Sequence, residues 1–122
     1  MADPIAIANQ FTDFYYATFD AGREGLKPLY RPESMMTWEG QQFLGVDAIM
    51  EKLAALNLGN VRHHVSARDV QPSSKVDSAI VVLVTGFLQT DDNPIAFCQT
   101  FQLMPDGGSF WVFNDIFRLI LG

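Results

Sequence analysis

A single cysteine, Cys98, leaves this chain without an intrachain disulfide, which fits a reducing compartment. The residue itself reads as a small buried apolar side chain. Basic residues are also scarce. Eight Lys and Arg against fourteen Asp and Glu give a formal charge of −6, and no cluster among them offers a track for phosphates. Nucleic acid is therefore excluded as a partner, and a partner drawn by charge carries basic groups. Long apolar runs are missing as well. The longest, Ala79 to Val84, has six residues, far short of the ~20 that span a bilayer, so membrane insertion is not expected. The first ten residues hold an acid and no base, unlike the start of a secretory signal. Internal repeats, low-complexity stretches and linkers are absent too.

The catalytic inventory is equally thin. The chain has no glycine-rich phosphate loop, nucleophile elbow or His-Glu-x-x-His. Its two histidines, His63 and His64, are neighbours in an expected strand, face opposite sides and cannot share a metal. Cys98 has no second cysteine for a zinc site, so neither metal nor cofactor is expected. Asp13, Asp20 and Glu24 read as the solvated faces of the first helices. Asp115 is the one carboxylate in the middle of an apolar strand, Phe113-Asn114-Asp115-Ile116-Phe117. Two readings stand for it: a general base with a raised pKa, or an acid tied into the structure by hydrogen bonds or by a base such as Arg118.

What the chain does have is enough apolar surface for a core. With 122 residues, 48% hydrophobic and 18% charged, it forms one domain, 1–122, without staples. Asp3 followed by Pro4 marks a helix start. Ile5, Ala8, Phe11, Tyr15 and Phe19 then recur at helical spacing until Gly22. A short second helix, Gly25 to Tyr30, is disturbed by Pro28. Ser34 to Leu44 suits two strands turning near Gly40. Gly45 opens another helix, with Val46, Ile49, Leu53 and Leu56 on one face, ending near Gly59. Four long strands follow: Val61–Val70, Ser78–Thr90, Ile95–Leu103 and Ser109–Leu121, joined by Pro-, Asp- and Gly-rich turns. Helices followed by hairpin-joined strands predict an α+β domain on an antiparallel sheet.

Two strands lack the apolar–polar alternation of a half-solvated sheet. In one, Ile80, Val82, Val84 and Leu88 oppose Val81, Leu83 and Phe87. In the last, Phe110, Val112, Ile116 and Ile120 oppose Trp111, Phe113, Phe117 and Leu119. Helices of so short a chain cover one face only. The second face is then an interaction surface, most economically a homodimer seam, unless loops or the second helix cover it.

Thr37-Trp38-Glu39-Gly40-Gln41-Gln42-Phe43 with Glu51-Lys52-Leu53, and the terminal run Val112-Phe113-Asn114-Asp115-Ile116-Phe117-Arg118-Leu119, resemble the nuclear transport factor 2 family. So do Phe14-Tyr15-Tyr16 with Phe19-Asp20, and Gln71-Pro72, and together these cover essentially the whole chain. The resemblance implies a homodimeric, cone-shaped α+β fold, helices packed on a strongly bent sheet around a hydrophobic hollow, with no enzymatic activity. It implies a carrier of the GDP form of the small GTPase Ran that touches phenylalanine-glycine nucleoporins and works between cytoplasm and nucleus, concentrated at the nuclear pore. Carried over by position, the hollow is lined by Trp38, Leu56, Val61, Ile116 and Phe117, with His63 near its mouth. Glu39 and Asp91 are the rim acids that meet basic residues beside an inserted Ran aromatic. Asn93 stands where the family often has a further acid, beside Asp92, and Ala96 where some relatives carry a larger side chain. Because Ile116 and Phe117 are strand neighbours, lining by both requires a bulge or strong twist. The same cone resembles ketosteroid isomerases and scytalone dehydratase, which leaves a rival: a pocket enzyme using Asp115, His63 and Tyr15 or Tyr16. A bare dimerisation module is the third reading.

Overall fold

In the computed structural model, which describes residues 3–121, the Asp3 carboxylate accepts the Ile5 N–H at 3.0 Å and starts helix α1 (Pro4–Ala21). The predicted domain bounds, 1 and 122, lie outside the described residues. Helix α1 buries Ala8, Thr12, Tyr15, Tyr16 and Phe19; Ile5, expected on that face, is exposed. A 3-10 helix, Arg23–Leu29, replaces the expected Gly25–Tyr30 helix and includes Pro28. Strands β1 (Tyr30–Trp38) and β2 (Gln41–Leu44), helix α2 (Val46–Ala55), and strands β3 (Arg62–Pro72), β4 (Ile80–Gln89), β5 (Ile95–Asp106) and β6 (Ser109–Ile120) complete the order. Leu56 caps α2 in extended backbone and is not on its face, so the predicted end near Gly59 was too late.

All six strands form one curled, unclosed sheet in the order β2-β1-β6-β5-β4-β3. Every pairing is antiparallel except β1 with β6, which is parallel. A purely antiparallel sheet was expected. The helix-bearing crossover between β2 and β3 carries the chain to the far edge, and β6 returns to lie along β1.

Irregular register curls the sheet. Ser66 is left out between the Val65–Gly86 and Ala67–Thr85 pairs, and Phe113 between Leu103–Val112 and Gln102–Asn114; such insertions bend and twist a strand. Gly86 permits the first: a Cβ there would lie 2.0 Å from the His64 carbonyl oxygen. The second resets side-chain parity along β6. Val112, Asp115 and Phe117 face inward, whereas Ile116 and Ile120 face outward, half exposed. The sequence reading had grouped Val112 with Ile116, which strict period-two alternation predicts and one extra residue overturns.

The inner face, with Met36, Trp38, Val82, Val84, Phe97, Phe101, Leu103, Val112 and Phe117, packs against α1 and α2 in one hydrophobic cluster. On the outer face Leu83, Phe87, Ile116 and Ile120 are 41–52% exposed. Neither loops nor the second helix, Arg23–Leu29, cover them. Cys98 also lies half-buried on this side and is not in the core.

Candidate docking site

Register explains why distant segments meet. Trp38 at the end of β1 pairs with Phe117 of β6, Leu119 with Phe97 of β5, Ile95 with Leu88 of β4, and Leu88 with His63 of β3. One end of the sheet thus gathers the close of β1, β4 and β6 and the start of β3 and β5. There an aromatic ladder crosses the inner face. Trp38 stacks on Phe117 at 4.0 Å and 7°, Phe117 lies 5.6 Å from Phe97, and Phe97 meets His63 edge-on. His63 then stacks on Tyr16 at 4.5 Å and abuts Phe19.

The hollow is tighter than the sequence reading expected. Trp38, Val61 and Phe117 are 7%, 6% and 1% exposed, because the Trp38–Phe117 stack fills the space with native rings. Leu56 is half-buried beside them. Ile116 does not line the hollow at all; the Phe113 bulge turns it to the outer face. Open space lies instead beside Gly59–Val61. A trough of about 590 Å³ includes Phe19, Asp20, Met50, Ala54 and Val61, and another of about 610 Å³ shares Asp20 and Gly59 to Val61 with it.

The Glu39-Gly40 turn joins β1 to β2 with both residues at positive φ, 51° and 85°, as a two-residue hairpin turn requires. Glycine adopts this freely; glutamate does so rarely. Glu39 is held there by two bonds that continue the ladder past Trp38: its N–H donates to the Phe117 carbonyl at 3.1 Å, and its carboxylate accepts the Leu119 N–H. Glu39 therefore has a structural partner. Arg118 reaches over this turn toward Gly40. Asp91 is exposed on the β4–β5 loop with its carboxylate against Gly59, and Asp92 and Asn93 beside it are exposed as well.

Sequence reasoning missed Asp20, read as solvated. Its carboxylate accepts the His63 backbone N–H at 2.9 Å and meets His63 Nδ1 at 2.7 Å. It thereby ties the end of α1 to the start of β3 and fixes the imidazole, whose side chain is 2% exposed. No local pattern signals this pairing across 43 residues. Asp13 likewise pairs with Arg68.

Asp115 follows the structural reading. It is buried under α1, accepting from Gln99 Nε2 at 2.8 Å and Tyr30 Oη at 2.7 Å. Arg118 is not its partner, since it is exposed on the opposite face. Burial raises the carboxyl from 3.8 to about 6, against the lowering effect of bonds from Gln99, Tyr30 and Tyr15. Burial also pushes the Tyr15, Tyr16 and Tyr30 hydroxyls well above the usual phenol value, and the nearby Asp115 charge adds to this. Among the described residues no His, Cys, Asp or Glu group is placed to hold a metal ion, and no helix is long and apolar enough to cross a membrane.

A curled sheet wrapped on two helices, with an aromatic floor and acids at one end, defines the nuclear transport factor 2-like class of cone folds. Comparison with known proteins narrows this. The Nuclear transport factor 2 (NTF2) domain matches residues 7–119. Nuclear transport factor 2 of Emericella nidulans is 54% identical over 98% of both chains. Its counterpart in Davidiella tassiana is 47% identical over 98% of this chain and 97% of that one. The solved nuclear transport factor 2 of Cryptosporidium parvum superposes with a TM-score of 0.90 at 42% identity, covering 96% of this chain and 94% of the other. The chain belongs to the nuclear transport factor 2 family. It is a nuclear transport factor, a carrier and not an enzyme, which removes the pocket-enzyme reading.

Proposed function

We propose that this transport factor carries Ran in its GDP form, receiving a Ran aromatic side chain at the Trp38–Phe117 end of the sheet. The observation that supports the reading is convergence: Trp38, Val61, His63 and Phe117 come from separate strands and connections to one end of the inner face, Leu56 packs against that cluster, and Glu39 and Asp91 lie in turns beyond it. The incoming ring seats against the Trp38 edge and half-buried Leu56, and the 56–61 connection yields to admit it. Glu39 and Asp91, with Asn93 beside them, meet basic groups flanking that ring. Ile116 faces away and contributes nothing to the socket.

The energetics suit a reversible carrier. Burying one aromatic side chain is worth roughly 1.5–3 kcal/mol, and truncating a desolvated charge pair costs ~2–5 kcal/mol. Lost translational and rotational freedom offsets much of these gains on association, which keeps the complex reversible. A GTPase that moves the aromatic on nucleotide exchange withdraws it and releases the carrier. The carrier works as a homodimer through the uncovered outer face, where Leu83, Phe87 and Ile120 are half exposed. Weak contacts with phenylalanine-glycine nucleoporins take it between cytoplasm and nucleus, concentrating it at the pore.

Calorimetric titration of the chain with Ran in each nucleotide state tests the proposal. Saturable binding is expected with the GDP form and a much weaker signal with the GTP form. Equal affinity for both forms would refute it, and binding to neither, by an intact dimer, would leave the bare dimerisation module.

A further inference from the structure

The connection from α2 to β3 is tied at its two ends and by little between them. Among the described residues, no backbone N–H or carbonyl of residues 57–61 is bonded to another group of the protein. Both ties come from the turn that ends α1. At one end Arg23 Nη2 donates to the Leu56 carbonyl at 3.0 Å. At the other the Asp20 carboxylate accepts the His63 N–H at 2.9 Å. Two side chains of one turn thus clasp the connection at its start and its finish. The trough of about 590 Å³ lies between them, lined by Asp20, Arg23 and Gly59 to Val61 among others.

Arg23 is committed to this carbonyl. Asp20 and Glu24 line the same trough, yet among the described residues Arg23 forms an ion pair with neither. Its guanidinium lies over the Phe19 ring instead, 5.6 Å from the centroid, and Phe19 is buried and abuts His63. One side chain therefore spans from the aromatic floor of the docking site to Leu56. A planar guanidinium resting on a ring holds its edge donors in a fixed direction, which an ammonium on a flexible stem does not. The Leu56 backbone has little else to fix it. It is extended at the close of α2, and its N–H reaches the Leu53 carbonyl across 3.3 Å.

We propose that Arg23 is a positioning residue for the docking site: it fixes Leu56 as a wall of the socket and leaves residues 57–61 as the stretch that adapts to an incoming ring. The inference rests on the reading that a partner's aromatic side chain seats beside Leu56. Arg23 does not meet that ring; it acts through the Leu56 backbone. A stretch without backbone hydrogen bonds opens locally at small cost. A wall that opened with it would have to be ordered anew at each encounter, and that ordering would be subtracted from affinity. The clasp confines the freedom to the residues between its two ties.

Two variants of the full chain test this. Arg23→Met keeps an apolar stem over Phe19 and removes the donors; Arg23→Lys restores one donor. Amide hydrogen exchange of the free protein reads the clasp without any partner. In Arg23→Met the Leu56 N–H should exchange about tenfold faster, the worth of one charge-assisted hydrogen bond, while the His63 N–H, still held by Asp20, keeps its parent rate. Titration with Ran-GDP well below the melting temperature reads the positioning. Affinity should fall about tenfold in Arg23→Met and recover in large part in Arg23→Lys. A merely structural role would leave affinity unchanged under those conditions, where the folded fraction is still close to one. Unchanged exchange at Leu56, or acceleration at His63 as well, would overturn the clasp whether or not Ran binds. Faster Leu56 exchange with parental affinity would overturn the positioning role. A parent chain that ignores Ran-GDP would remove the docking reading itself, and the positioning role with it, whatever the exchange rates show.

Discussion

Replacing Glu39 by glutamine separates charge from architecture at the docking rim. The glutamate carboxylate accepts the Leu119 N–H while its backbone sits at φ 51°. Glutamine keeps an acceptor oxygen of the same reach, so the β1–β6 ladder should close as before. A hydrogen bond to a charged group is worth ~1.5–3 kcal/mol and a neutral one ~0.5–1.5, so the stability loss should be about 1 kcal/mol. The rim, however, loses its carboxylate. At ~2 kcal/mol or more for a broken charge pair, Ran-GDP affinity should fall at least ~30-fold. Lysine, by contrast, removes the acceptor too and leaves the Leu119 N–H unpaired in a half-buried place, a further cost of about 1–3 kcal/mol. Glu39→Lys should therefore lower stability as well as binding. Calorimetric titration with Ran-GDP, alongside thermal melts of both variants, measures each effect. If Glu39→Gln binds as tightly as the parent, or melts as low as Glu39→Lys, the reasoning fails.

Asp115 should make stability depend on pH. Its folded value of about 6 exceeds the model-peptide 3.8, so its contribution is fully present below the lower value and lost as pH rises through the upper. The parent should lose about 3 kcal/mol relative to Asp115→Asn between those values, read as the difference in unfolding free energy by urea titration at each pH. Asp20→Ala removes both bonds to His63 and should cost about 2–4 kcal/mol; His63 ring resonances should broaden or shift while those of distant Trp111 stay fixed. Phe87→Glu on the outer face, where the ring is 45% exposed, should leave the monomer's melting little changed but shift sedimentation from dimer to monomer. A persisting dimer would place the seam elsewhere.

Local chemistry was legible wherever neighbours in sequence decide it. The Asp3 cap, the Glu39-Gly40 turn and the starts of β5 and β6 follow from side chains a few residues apart, whereas β1 begins at Tyr30, four residues before the expected Ser34. The unalternating β4 strand also announced its uncovered outer face. What failed was parity. A period-two pattern carries no mark of an inserted residue, and the bulge at Phe113 put Val112 and Ile116, grouped by that pattern, on opposite faces. The charged pairs failed for a related reason: Asp20 and His63 meet only because α1 lies across β3.

The order of elements and the family were therefore written in the chain itself, since capping, turn preference and residue-by-residue similarity are local or linear properties. The tertiary structure alone decided that β1 runs parallel to β6, that Trp38 closes on Phe117 and that four side chains converge on Asp115 or its partners. Each depends on register between segments tens of residues apart. Such register is set by how bulges, helices and core volume are satisfied together, which no short window of sequence contains.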